Sequence, residues 1–363
     1  MCLINFGDIS KKEFLDHYWQ KKPLLIKQAL PGFTSPISPD ELAGLSLEGE
    51  IESRLIQGSS KTNEWSLENG PFDEMRFASL SEEDWTLLIQ GVDRVDNDIY
   101  QLIQRFDFIP RWRFDDVMIS YATAGGSVGP HFDYYDVFLL QGSGRRRWQL
   151  STKDCEMGNT LTGVPLRIMQ SFEVEMSFEV EPGDVLYIPP KVAHHGVSLD
   201  DECTTLSFGY RSYTGLELFG EKCPENLKTQ YYQDPTWSDT NPPGLIPSSA
   251  IDQARLMANI TDEAFARLVS KADMLDQQHL QAFEFDNQDE SFDPQALYQL
   301  HPSCKVAYLE SDKFFINGEG FTPIADIDGM RNLCNTRLID AAKSTPLAEQ
   351  LFTQNLIEIS HQY

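Results

Sequence analysis

The sequence predicts an α+β protein whose centre is an antiparallel β sandwich or barrel, with helical segments before and after it. Two observations lead there. From Trp112 to about residue 212 apolar residues alternate with polar ones, in DDVMISYAT, YDVFLLQGSGRRRWQL, SFEVEMSFEVEPGDVLYIPP and TTLSFGYRS, and Gly, Pro and Asp turns separate these runs. Several short strands at such spacing close into a sandwich or barrel. Outside this stretch the period changes to the helical one, and a chain of 363 residues with 41% hydrophobic content has room for two or three domains.

Taken in order, Ser10 and Glu13 fit a capping box that opens a helix with an apolar stripe of Phe14, Leu15 and Tyr18. A strand follows Pro23 in KKPLLIKQAL. Residues 40–105 read as mixed and largely helical, with SEEDWTLLIQGV as the clearest helix start. After the β-rich centre, residues 225–250 are loop-rich, and SSAIDQARLMANITDEAFARLVSKADML reads as two helices. FEFDNQDESFDP resembles an acidic linker. The last part contains a hairpin with Asn317-Gly318 at its turn, then the helical runs MRNLCNTRLIDAAK and TPLAEQLFTQNLIEI. Helices around a small hairpin suggest a winged-helix-like module.

Charge limits the partners. There are 29 Lys+Arg against 56 Asp+Glu, a net of -27, which repels nucleic acid and anionic membranes and suits a basic partner. Residues 281–363 alone carry 5 Lys+Arg against 13 Asp+Glu. A DNA reader is basic there, so the module is expected to serve assembly or protein contact. The six cysteines form no C-x-x-C pair, and the N-terminus has neither a long apolar core nor a cleavage site. The expectation is a cytoplasmic protein with reduced thiols and no membrane span.

The chemistry concentrates in two stretches. In GPHFDYYDVFLLQGSGRRRWQL, read as a hairpin, His131 and Asp133 stand two apart, on one face of a strand. Two imidazoles and one carboxylate are the donor set of a non-haem Fe(II) centre that keeps positions open for a co-substrate and dioxygen. The second imidazole comes from EPGDVLYIPPKVAHHGVSL, where a turn at 181–184, the strand Val185–Ile188 and Pro189-Pro190 precede His194 and His195. This is a cupin-type arrangement, and spacing alone does not choose between the two histidines. A two-residue loop within QGSG, Gly142-Ser143 or Ser143-Gly144, puts residues 139 and 146 on the face of His131 and Asp133. Arg146 then points inward, where its guanidinium can pair with a dicarboxylate such as 2-oxoglutarate, and Arg145 and Arg147 point outward. A three-residue loop reverses that parity. In FDDVMISYAT, Asp116, Met118 and Ser120 share one face. Ser120 can hydrogen-bond a co-substrate carboxylate, and an inward Asp116 suits a cationic substrate group.

GPHFDYYDVFLLQGSGRRRW, GDVLYIPPKVAHHG and the N-terminal YWQKKPLLI together resemble the bacterial ribosomal oxygenases of the jumonji C family. These are Fe(II)- and 2-oxoglutarate-dependent arginine hydroxylases acting on large-subunit ribosomal protein sixteen. The resemblance implies a double-stranded β-helix (jumonji C, cupin-like jelly roll) over 1–212, a helical dimerisation region over 213–280 and a winged-helix-like domain over 281–363. It implies iron ligation by His131, Asp133 and His194, with His195 outside the ligand set. It also implies 2-oxoglutarate bound by Arg146 with Ser120, and a substrate-arginine pocket of Asp116, Met118, Tyr135 and Ser207. Catalysis then rests on the metal site, the partner is a basic ribosomal protein, and the enzyme is a homodimer. Lys191-Val192-Ala193 departs from the family's more usual Gly-Phe-Pro type stretch and bears on access to the iron. Two other readings stay open: the same chemistry on a histidine or methylated lysine, and a non-catalytic cupin-fold binding module.

Overall fold

The computed structural model describes residues 3–59, 64–238, 240–286 and 290–360. Cys2 and part of the acidic linker stretch, residues 287–289, lie outside them. The chain divides into two compact units, residues 1–105 with 115–211, and residues 106–114 with 212–363.

The first unit begins with α1 (Lys11–His17), capped by Ser10, whose side chain accepts from the Glu13 N–H. β1 (Leu24–Ile26) and α2 (Pro39–Leu45) follow, then β2 (Ser53–Ser59), β3 (Glu64–Asn69), α3 (Glu74–Ala78), β4 (Trp85–Ile89) and α4 (Asn97–Leu102). The remaining strands are β5 (Phe114–Ala122), β6 (Asp136–Ser143), β7 (Arg146–Ser151), β8 (Met176–Val180), β9 (Val185–Ile188), β10 (Ala193–Ser198) and β11 (Cys203–Tyr210). They form an eight-stranded sheet in the order β1-β9-β6-β11-β5-β4-β2-β3 and a three-stranded sheet β10-β7-β8. Val137, Leu139, Leu186 and Ile188 of the large sheet pack with Trp148, Leu150 and Val180 of the small one. This is the two-layer sandwich expected from the alternation. α1 is fixed to it by Phe14, which stacks edge-on to Tyr187 at 5.0 Å, and Tyr187 donates to Asp136 at 2.6 Å.

Three expectations need correction. The segment SEEDWTLLIQGV does not start a helix: Trp85–Ile89 is β4, hydrogen-bonded to β2 on one side and β5 on the other. Thr86 to Ile89 are all buried. A strand covered on both faces loses its alternation, and a continuous apolar run cannot be told from a buried helix by period. Second, QGSG is no hairpin turn. β6 pairs with β9 and β11, β7 with β8 and β10, and the chain crosses between sheets at Gly144. Gly144 has φ +61°, and a Cβ there would stand 2.6 Å from the Glu202 carbonyl oxygen, so only glycine makes this corner. Third, His131 and Asp133 precede β6 rather than lying on it. His131 makes an isolated bridge to His194, and Asp133 sits in the connection. His194 and His195, just beyond Pro189-Pro190 as expected, lie within β10.

The second unit carries α5 (Gly215–Phe219), β12 (Leu245–Ile246), α6 (Ser248–Met257), α7 (Asp262–Val269) and α8 (Met274–Asp286), so the two expected helices are followed by a third. β13 (Leu297–Leu300), β14 (Val306–Leu309), β15 (Phe314–Ile316) and β16 (Glu319–Phe321) come next, then α9 (Ile327–Thr336), β17 (Leu338–Asp340), α10 (Thr345–Thr353) and β18 (Ile357–Ile359). The sheets are β12-β14-β15-β16 and β17-β13-β18. Asn317 and Gly318 link β15 to β16 with φ of 52° and 84°, the primed turn the dipeptide predicts. The tails of the last two helical runs are the strands β17 and β18. Cys155, Cys203, Cys223, Cys304 and Cys334 are free thiols. No helix among the described residues is long and apolar enough to cross a membrane.

Candidate metal centre

The His131–His194 bridge builds the centre. Each backbone N–H donates to the other's carbonyl, at 3.0 and 2.7 Å, which brings the imidazole centroids to 4.2 Å. Each Nδ1 faces a nearby carbonyl, that of His131 the Gly129 oxygen at 3.0 Å and that of His194 the Val192 oxygen at 3.2 Å. A carbonyl partner requires the proton on Nδ1, so both Nε2 lone pairs are turned into the site. Asp133 Oδ2 lies 3.9 Å from His131 Nε2 and 3.7 Å from His194 Nε2. One donor atom from each of the three residues falls within 4.8 Å of the others. Donors at right angles and about 2.1 Å from one ion stand roughly 3 Å apart, so a contraction of about 1 Å on the two Asp133 sides, and of up to about 2 Å on the third, closes this triangle on a cation.

Burial keeps His194 neutral, lowering its pKa to about 4, with the neighbouring His131 adding to the effect. A neutral imidazole is the ligating form. His195 is also held down to about 4 by burial, but successive residues of a strand face opposite ways. Its ring packs edge-on to Phe172 at 6.1 Å, outside the triangle. Geometry therefore resolves the paired histidines in favour of His194.

The triangle opens into a cavity of about 460 Å³ between the sheets, and His131, Asp133, His194, Arg146, Ser120, Met118, Tyr135 and Ser207 all line it. Arg146 is 3% exposed, and its Nε and Nη2 have no hydrogen-bond partner among the described residues. Its neighbours behave as expected of outward residues: Arg145 pairs with Asp200 and Arg147 with Glu179. The hairpin premise fails, yet the outcome for Arg146 stands, because β6 and β7 direct alternate residues into the same interior from opposite sheets. An unpaired buried guanidinium costs several kcal/mol unless an anion compensates it. Two adjacent, free N–H groups match the fork geometry of a carboxylate. The donor sets thus fit both a divalent metal and a dicarboxylate. Trp148, two residues on, can lie across β10 because Gly196 faces it: a Cβ there would meet the indole at 2.5 Å.

Asp116 does not line the cavity. It sits two residues before Met118 on the same face of β5, 7% exposed, with Oδ2 accepting from Gln90 Nε2 at 2.6 Å and the Gly91 N–H at 2.9 Å. Burial, with the charges of Asp115 and Asp93, pushes its pKa up to about 7. Its field reaches the cavity: Asp133 first, then burial, then Asp116 hold the Tyr135 hydroxyl well above the ordinary phenol range, so that group remains a donor. The sequence reading missed Arg54 on β2 and Arg167 in the connection between β7 and β8, both on the cavity wall. Arg54 lies in the stretch read as helical, where no strand face could be assigned to it.

A two-histidine, one-carboxylate triangle inside an antiparallel sandwich, with a buried, unpartnered arginine on the same cavity, has the donor set of a cupin-type metal centre. Residues 101–218 match the JmjC domain. It is 38% identical over 249 residues to the ribosomal protein uL16 3-hydroxylase of Escherichia coli K12, covering 68% of this chain and 65% of that one. It is 40% identical over 205 residues to a probable ribosomal oxygenase of Haemophilus influenzae, covering 56% and 50%. The matched segments therefore span under two thirds of these relatives. Among solved structures, E. coli YcfD superposes with a TM-score of 0.72 at 28% identity, covering 98% of this chain and 100% of that one. YcfD, described as a ribosomal oxygenase, in complex with cobalt and 2-oxoglutarate superposes at 0.70 with 27% identity, covering 99% and 100%. The chain has the YcfD fold.

Proposed function

We propose that this chain is an Fe(II)- and 2-oxoglutarate-dependent dioxygenase that hydroxylates an arginine side chain of ribosomal protein uL16, as a protein arginine 3-hydroxylase. The observation that carries the reading is the presence, in one cavity, of the His131–Asp133–His194 triangle and the unpartnered guanidinium nitrogens of Arg146. The ribosomal names of the relatives support the substrate class, and the cobalt and 2-oxoglutarate in the YcfD complex support the cofactors.

When bound, the iron with 2-oxoglutarate supplies the oxidation that places one oxygen atom of dioxygen in a C–H bond, releasing succinate and carbon dioxide. The protein's own part is placement. His131, Asp133 and His194 would hold the metal at the wall of the cavity. Arg146, assisted by Ser120, clamps the far carboxylate of the co-substrate. Asp116, Met118, Tyr135 and Ser207 receive the target arginine and set which carbon faces the metal.

Around this centre, residues 213–280 serve as a dimerisation region and 281–363 as a winged-helix-like domain for protein contact, in a cytoplasmic homodimer. The net charge of -27 suits a basic ribosomal protein and opposes nucleic acid and membranes. Intact-mass analysis of uL16 from cells with and without this protein tests the reading. Its removal is expected to erase a single-oxygen addition, which the wild-type gene restores and His194→Ala does not. An unchanged uL16 mass, or restoration by His194→Ala, overturns it.

A further inference from the structure

Asp116 is held asymmetrically. Both of its hydrogen bonds, from Gln90 Nε2 at 2.6 Å and from the Gly91 N–H at 2.9 Å, fall on Oδ2. Oδ1 accepts none among the described residues and faces the bare backbone of Gly209 on β11, 3.7 Å from where a Cβ would stand. A carboxylate with one oxygen anchored twice presents the other as a directed acceptor.

The anchor has its own support. Gln90 can serve Asp116 only if its amide nitrogen, not its oxygen, points there. Arg54 settles that orientation: Nη2 donates to Gln90 Oε1 at 2.7 Å. Arg54 carries no acceptor, so the amide cannot flip without opposing two N–H groups to each other and two oxygens to each other. Arg54 Nη2 also approaches the Met118 sulfur at 3.8 Å, and Arg54 and Met118 both line the cavity. Gln90 itself does not line it. The relay therefore runs from the cavity wall at Arg54, through a residue with no view of the substrate, to the carboxylate.

We propose that Gln90, oriented by Arg54, is a positioning residue that aims Asp116 Oδ1 at the guanidinium of the target side chain and so sets the preference for a cation over a neutral isostere. This rests on the arginine reading above.

The test measures binding, with the full-length protein loaded with Mn²⁺ and 2-oxoglutarate. The probes are the best-binding arginine-containing uL16 peptide and the same peptide with that arginine replaced by citrulline, which keeps the shape and loses the charge. Two variants are used. Gln90→Met keeps the side-chain length and removes the amide. Gln90→Leu also removes the amide and adds no charge. The ratio of the two peptide affinities is expected to fall roughly tenfold in each variant, the scale of one charge-assisted hydrogen bond, with citrulline-peptide affinity unchanged. A merely structural role for Gln90 would weaken both peptides alike. Either folded variant discriminating as well as wild type overturns the inference and leaves the arginine reading in place. A wild-type protein that does not prefer arginine to citrulline sinks the arginine reading itself.

Discussion

Two buried arginines, one in each unit, are treated in opposite ways. Arg337, 6% exposed at the end of α9, donates through Nη2 to the carbonyls of Pro302 and Cys304 at 3.3 and 2.8 Å. Arg146, 3% exposed, leaves Nε and Nη2 without a hydrogen-bond partner among the described residues. A protein gains nothing in stability by burying an unpaired cation. The matched arginine is part of the fold, and the unmatched one marks a place where the fold is completed by something else.

The comparison breaks if both arginines respond alike to removal. Arg146→Met is expected to weaken 2-oxoglutarate binding by 100-fold or more, the scale of a lost bidentate charged pair, without loss of stability, since an uncompensated buried charge is removed (order of magnitude). Calorimetric titration of the Mn²⁺-loaded protein reads the first effect and thermal unfolding the second. Arg337→Met is expected to do the reverse. It strands two buried carbonyls at a cost of roughly 3 kcal/mol and leaves the 2-oxoglutarate affinity alone. Loss of stability in the Arg146 variant, with affinity intact, would place that residue in the scaffold.

Asp116 is the anionic counterpart of Arg146 and sharpens the contrast through pH. Its folded pKa, pushed up to about 7 by burial and then by Asp115 and Asp93, lies above the unfolded value near 4. Between those two values the folded chain keeps a proton that the unfolded chain has lost, so stability falls as pH rises through the window and is flat above it. Asn cannot ionise and retains an oxygen for Gln90 and Gly91. Asp116→Asn is therefore expected to melt a few degrees higher than wild type at pH 8, with the gap closing by pH 4, while losing affinity for the arginine peptide. A gap of equal size at both pH values would trace the effect to packing instead.

The legibility of this site in the sequence follows the range of the interactions involved. His131 and Asp133 are separated by one residue, and the PPKVAHHG stretch follows a plain turn and strand, so short-range spacing exposes the donor set. The choice of His194 over His195 needs the register of β10 on β7, where His194 faces Leu150. The sheet change at Gly144 depends on pairing with β8 to β11, which no local turn rule contains. Strand β4 hides because both its faces are covered. Its misreading as a helix in turn hides Gln90 and Arg54, which approach Asp116 only once β2, β4 and β5 lie side by side. The cavity's chemistry was readable where it is local, and its positioning residues were not.

The smallest effects belong to the arginines flanking Arg146. Three consecutive residues of one type meet three surroundings. Arg145 holds Asp200 with Nε and Nη2 at 3.2 and 2.9 Å, and Arg147 reaches Glu179 with the same two nitrogens at 3.3 and 2.9 Å. Both pairs are about half exposed, where solvent screening and side-chain entropy consume most of the attraction. Arg145→Ala and Arg147→Ala are each expected to shift the melting temperature by no more than about 1 °C, and by less in 1 M salt, where the screening length falls to about 3 Å. Arg145→Ala should be the larger of the two, because Asp200 also accepts the Arg145 backbone N–H at 2.7 Å and is already held in place for the guanidinium. Neither change should move the 2-oxoglutarate affinity. If Arg147→Ala lowered that affinity as Arg146→Met does, the basic run would be acting as one diffuse positive surface, and the distinction between a buried unpaired arginine and its paired neighbours would no longer locate the co-substrate.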